Sequence, residues 1–266
     1  MMTREEQQLE KHFRDLARTA YQRGIAVFSD FLNLNELNIY HSSKKELAFV
    51  TCRLFGGYET AERQMIAFIP DALSYDMEDT ESKDGSLPYG WEFPFVCICI
   101  QPLHEKYADK LTHRDFLGAI LNIGIERNKI GDILLTDDGT YVFCHETMAE
   151  LLCRELTHIR HTSVYAQITD PDSFSWQPVY ETIHGTVASL RLDSLLSLAF
   201  GSSRSSLTSL VENGSIYVNG RLTTSNGYKL KNGDIISARG YGKFQFCSVL
   251  SETRKGRLSV EIKRYK

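Results

Sequence analysis

The sequence predicts an α+β chain in three parts, and three observations carry that prediction. A central stretch alternates apolar runs with two amphipathic helical stripes in the order β-α-β-β-α-β. Residues 185–243 pack two short helices, an Asn-Gly turn and several strand entries into a segment dense in basic groups. The first residues form one long amphipathic helix with strands behind it. The resulting division is an α/β domain over 1–88, a βαββαβ domain over 89–172 and a basic module with a closing hairpin over 180–266. A length of 266 residues accommodates two or three domains, and 42% hydrophobic content is ordinary for a globular chain.

The first helix spans Glu5 to Arg23: Leu9, Phe13, Leu16, Ala17 and Ala20 recur on one face, and Gly24 stops it. Residues 28–46 are mixed and partly helical. Leu47 to Phe55 reads as a strand closed by Gly56-Gly57, residues 58–63 as a short helical turn, and Met65 to Ile69 as a strand closed by Pro70. Residues 71–92 are loop-like and hold seven carboxylates, from Asp71 to Glu92, which repel a polyanion and are expected to face away from one.

Phe95 to Ile100 is wholly apolar, as a central strand is. Thr112 caps a helix with Asp115 three residues on, and Phe116, Leu117, Ile120 and Leu121 form its buried face. Ile133 to Leu135 and Tyr141 to Cys144 are strands about an Asp138-Gly139 turn. Met148, Leu151, Leu152, Leu156 and Ile159 make a second helical stripe, and Val164, Ala166 and Ile168 alternate into a last strand. This is the ferredoxin-like order, which RNA-recognition motifs share. Those motifs need stacking aromatics on their central strands; Tyr141 and Phe143 are the candidates. Residues 170–178 read as a linker.

In the module, Ser189 caps a helix from Leu190 whose stripe is Leu192, Leu195, Leu196 and Ala199. Gly201 ends it, Ser202 or Ser203 caps the next, and Asn213-Gly214 stops that one. Ile216 and Val218 enter a strand, Asn219-Gly220 is a strong hairpin signal, and Asp234-Ile235-Ile236 begins another strand. Phe244, Phe246, Leu258, Val260 and Ile262 then alternate across a basic tip at residues 253–256.

Charge separates the module from the body. Glu181 to Lys266 hold 13 Lys and Arg against 6 Asp and Glu, whereas the preceding 180 residues hold 17 against 28, a contrast that the whole-chain charge of −4 conceals. Such asymmetry points to a polyanion partner for the basic part; a merely solvated basic face is the alternative. The candidate contacts are Arg191, Ser203, Arg204, Arg221, Lys229, Lys231, Arg239, Tyr241 and Lys243. Arg204 falls in the first turn of the second helix, where free N–H groups and the helix dipole already favour an anion. Arg191 has the alternative of a salt bridge to a neighbouring carboxylate, and Ser203 of a purely capping role. Tyr241, between Gly240 and Gly242, is placed to stack on a base with Lys243 on a phosphate, or else to form a bulge.

Several classes are excluded or disfavoured. No apolar run reaches the length of a membrane helix, and the charged N-terminus has no signal-peptide core, so a cytoplasmic protein without membrane insertion is expected. Six cysteines include no Cys-x-x-Cys pair, and His158-x-x-His161 near Cys153 has no second half, so neither a metal nor a cofactor is expected. His113-Arg114-Asp115 echoes a kinase catalytic loop, but Ile120 stands where Asn is required; Arg114 and Asp115 are expected to pair at the helix start. No phosphate-binding loop or dinucleotide fingerprint is present.

The module resembles the S-four RNA-binding domain, named for ribosomal small-subunit protein four, through Arg191-Leu192-Asp193, Ser203-Arg204, the run 214–220 and the run 232–236. The resemblance implies that the first two helices and the turn after them meet structured RNA, through Arg191, Ser203, Arg204, Asn219, Arg221 and Lys229, with Asp193 structural. Beyond the module, the runs 55–63, 113–119, 124–133 and 253–257 make the chain similar to the YlmH family of bacterial RNA-binding proteins. That likeness implies a role tied to cell division and to rescue of stalled large ribosomal subunits.

The expected function is non-enzymatic binding of structured RNA, ribosomal RNA of the large subunit or transfer RNA, with division or ribosome-rescue proteins as further partners. One alternative is an RNA-modifying enzyme of the pseudouridine synthase type, whose catalytic Arg-Leu-Asp the triplet 191–193 superficially matches. Another is a division adaptor built on the acidic body.

Overall fold

A computed structural model describes residues 3–71, 87, 92–169 and 178–265, with the side chains of Tyr107, Arg204 and Ser205 left out. Most of the acidic stretch 71–92 and of the linker at 170–178 therefore lies outside the described residues. The chain divides into two compact units, residues 1–175 and 176–266.

The first unit begins with α1 (Arg4–Arg23). A capping box between Thr3 and Glu6 starts it, and Gly24, at φ 65°, ends it. Then follow β1 (Val27–Phe28), α2 (Leu34–Ser43), β2 (Val50–Phe55) and β3 (Met65–Pro70), with the strands ordered β1-β3-β2, all antiparallel. Every residue of β3 is buried. Ile66 and Phe68 pack with Phe13, Ala17 and Leu37 of the two helices. Met65, Ala67 and Ile69 point the other way, into a cluster with Phe31, Phe93, Cys97 and Phe143.

That second cluster joins the N-terminal sheet to another sheet. β4 (Phe95–Pro102), α3 (His113–Asn122), β5 (Ile130–Thr136), β6 (Gly139–His145), α4 (Glu146–Glu155), β7 (His158–Ile159) and β8 (Thr162–Ile168) form an antiparallel sheet ordered β5-β6-β4-β8-β7. Its first four strands have the ferredoxin-like order. Ile98, Ile100, Ile133 and Val142 bury one face under Phe116, Ile120 and Leu152 of the helices. The unit is thus layered as helices, sheet, sheet, helices, and both sheets are covered on both faces.

Three expectations change here. Residues 58–63 make one hydrogen-bonded turn, Ala61 N–H to the Tyr58 carbonyl, and then bend without forming a helix, because the backbone of 62–63 wraps a carboxylate. α4 ends at Glu155, and Ile159 lies in β7: His158 and Ile159 pair with Ser163 and Thr162 about a turn in which Arg160 has φ 53°. Asp115 pairs with Arg160 at 2.6 Å, not with Arg114.

The second unit holds β9 (Tyr180–Val187), α5 (Leu192–Phe200), α6 (Arg204–Glu212), β10 (Ile216–Val218), β11 (Arg221–Leu222), β12 (Ile235–Ala238), β13 (Gly242–Glu252) and β14 (Leu258–Tyr265). Its sheet runs β11-β10-β12-β13-β14-β9. Leu192, Leu195, Leu196 and Ala199 meet Leu207 and Val211 and the inward residues Phe244, Phe246, Val260 and Ile262.

Candidate nucleic-acid interface

α5 starts two residues later than Ser189 implies. Arg191 is its N-cap, without a side-chain cap. The reason is local: the N–H groups of Leu192 and Asp193 donate to the carbonyls of Tyr228 and Asn226, so the 226–229 loop closes this helix end. An isolated bridge pairs Arg191 with Lys229, and the Leu230 N–H donates to the Leu190 carbonyl. Two cations far apart in sequence therefore share one exposed rim, beside the half-exposed ring of Tyr228. The Arg191 guanidinium also reaches Asp193 at 3.2 Å, so the salt-bridge alternative is realised.

Ser203 is the N-cap of α6, and its Oγ accepts from the Ser206 N–H. The backbone of Arg204 opens that helix; its side chain is outside the described residues. Asn219, at φ 50°, and Gly220, at φ 75°, make the turn between β10 and β11, which leaves Arg221 exposed. The Asn219 carboxamide donates to Asp234 at 2.9 Å and accepts from the Ile235 N–H at 2.9 Å. Asp234 also accepts from the Lys231 N–H. Asn219 and Asp234 therefore lock the hairpin that presents Arg221 and the exposed Lys231.

Arg239, Tyr241 and Lys243 belong to a separate group, about the β12–β13 turn. The Arg239 guanidinium lies 5.3 Å from the centre of the Tyr217 ring, Tyr241 packs on Phe200 at 5.6 Å, and the Lys243 ammonium lies 5.2 Å from the Tyr265 ring.

The sheet face that an RNA-recognition motif would open to bases is shut. Phe143 is 2% exposed and stacks on Tyr58 at 5.7 Å. Tyr141 and Phe95 pack into the same cluster. Phe143 does not face solvent as a stacking platform, because the N-terminal sheet lies on that face, and Tyr141 is only partly buried against the same cluster.

The seam between those sheets accounts for two sequence runs whose role periodicity did not reveal. Asp132 accepts from the Tyr58 hydroxyl at 2.6 Å and from the N–H groups of Glu62 and Arg63 at 2.7 and 3.2 Å. Arg63, 9% exposed, donates to the carbonyls of Ile130, Phe31 and Arg127. Burial lowers the pKa of the Arg63 guanidinium, and takes that of Arg127 down to about 10, so Arg127 stays charged at neutral pH. The family resemblance singles out the runs 55–63 and 124–133, but nothing local in either shows that they meet each other. His158 bonds Thr157 and Ser163, and among the described residues no three His, Cys, Asp or Glu side chains converge on a metal position. No described helix is long and apolar enough to cross a membrane.

Two parts of the chain match known domain families. Residues 93–172 match the family described as the putative RNA-binding domain in YlmH, and residues 190–236 match the S4 (S-four) domain. The chain is similar to the ribosome-associated protein quality control protein P2 of Bacillus subtilis (strain 168), 28% identical over 242 residues, spanning 90% of this chain and 87% of that protein. It is also similar to a solved structure of the cell division protein ylmH from Streptococcus pneumoniae, 17% identical, with a TM-score of 0.46 over 64% of this chain and 94% of that one. The chain thus carries a match to the YlmH domain ahead of a match to the S-four domain, and over most of its length it is similar to one ribosome-associated relative.

Proposed function

We propose that this protein is a non-enzymatic binder of structured RNA and that the C-terminal module is its grip. The observation that carries this reading is the meeting of Arg191 and Lys229 across a backbone bridge on an exposed rim. The N–H groups at the start of α5 are already bonded to carbonyls, so phosphate recognition there falls to side chains. Arg191, Ser203, Arg204, Arg221, Lys229 and Lys231 contact the RNA backbone, and Asn219 acts by holding the turn. The name of the B. subtilis relative, a ribosome-associated quality-control protein, supports a ribosomal setting; within it the target is large-subunit ribosomal RNA or transfer RNA and the task is ribosome rescue in the cytosol.

The test is crosslinking and RNA sequencing from cells carrying the wild type or the Arg221→Glu/Lys229→Glu variant. A sharp footprint on large-subunit ribosomal or transfer RNA that the variant loses is the expected result. A footprint unchanged by the substitutions overturns the proposed grip. Tritium release from labelled uridine RNA would overturn the non-enzymatic assignment.

A further inference from the structure

The helix-facing side of the C-terminal sheet is its core; the opposite side carries an unusual row of residues. Strand alternation turns Phe244, Phe246, Val260 and Ile262 toward α5 and α6 and their sequence neighbours away. Cross-strand register pairs Tyr265 with Tyr180, and Lys243, next to the Phe244–Arg264 pair, reaches the Tyr265 ring. One step along, Gln245, Lys263 and Thr182 align in the same way. Tyr180 is 43% exposed. The Lys263 ammonium lies 4.5 Å from the centre of the Tyr180 ring, and the Lys243 ammonium 5.2 Å from that of Tyr265. The carboxylate on this face, Glu261, is held by His184 at 3.1 Å.

We infer that this outer face is a second RNA surface, which takes a single-stranded segment by stacking unpaired bases on Tyr180 and Tyr265 and placing phosphates on Lys243 and Lys263. The occupant follows from the chemistry. Adjacent rings on neighbouring strands offer π-faces to successive bases, and flexible cations beside them suit a backbone anion. An A-form duplex hides its base faces and would meet only the lysines. The Lys263 ammonium both lies over the Tyr180 ring and hydrogen-bonds its side chain, yet a lysine over a partly exposed ring is held less tightly than a stacked base. The base therefore displaces the lysine from the ring, and the freed ammonium meets the phosphate next to that base. The inference rests on the chain being an RNA binder, yet it uses a face separate from the Arg191–Lys229 rim.

The test titrates the full chain with a fluorescein-labelled uridine-rich single strand and, separately, with an RNA hairpin of closed loop. Tyr180→Ala and Tyr265→Ala are each expected to weaken single-strand binding about tenfold while leaving hairpin binding unchanged. Tyr180→Phe, which keeps the ring, is expected to bind like the wild type. Photocrosslinked adducts of the single strand should map to Tyr180 or Tyr265. Single-strand binding unchanged in both alanine variants, adducts confined to residues 191–231, or no single-strand binding by the wild type would each overturn the inference. Loss of hairpin binding in Arg221→Glu/Lys229→Glu, with single-strand binding intact, separates this surface from the proposed grip.

Discussion

The Tyr58 hydroxyl donates a 2.6 Å hydrogen bond to the Asp132 carboxylate, tying the bend after β2 to strand β5. The same carboxylate holds the N–H groups of Glu62 and Arg63. One acid thus stitches the N-terminal sheet to the ferredoxin-like sheet. Removing it as Asp132→Ala orphans one hydroxyl and two backbone donors at the seam. The expected loss is about 3 kcal/mol, read as a thermal midpoint lowered by roughly 6–12 °C. Tyr58→Phe should lose about 1 kcal/mol.

Gly57 has φ 100°, and a Cβ built on it would lie 2.1 Å from Cε1 of Phe143. Gly57→Ala meets both backbone strain and a clash with a ring that cannot retreat, at a cost of about 3 kcal/mol or more. Gly24, at φ 65° with nothing within 4 Å of its virtual Cβ, isolates the backbone cost. Gly24→Ala should lose only about 1 kcal/mol. Denaturant midpoints of the two variants check the difference.

Burial raises the Cys97 and Cys144 thiols from 9.0 to about 12. Above pH 9 the unfolded chain releases these protons while the native state keeps them, so unfolding is favoured as pH rises. Stability should be level up to about pH 9 and fall from there toward pH 12, as measured by urea midpoints against pH. At pH 8 both thiols should resist a disulfide reagent until the protein is unfolded.

On the basic module, Arg221→Ala and Lys229→Ala should each reduce the salt slope of RNA affinity by about 1. Asn219→Ala should leave that slope unchanged and lower the stability of the module by about 1–2 kcal/mol, because its neutral carboxamide bonds Asp234 and Ile235 within the turn. A change of slope in Asn219→Ala would reverse that assignment.

Periodicity and cap chemistry by themselves determined much of this protein. The α1 stripe with Gly24, the Thr112–Asp115 capping box, the succession of helices and strands over 95–168 and the Asn219-Gly220 turn are all local, since each depends on side chains a few residues apart. The concentration of positive charge after residue 180 is likewise a property of composition. What required the tertiary structure were relationships between distant segments. Phe143 has the right place on a central strand to stack a base, but β3 and Gly57, far away in sequence, cover it. Arg191 looks like a helix residue until the carbonyls of Asn226 and Tyr228 supply the cap that moves the helix start to Leu192. The strand pairing that aligns Tyr265 with Tyr180 has no local signature, because register is settled only when one face of the sheet is buried.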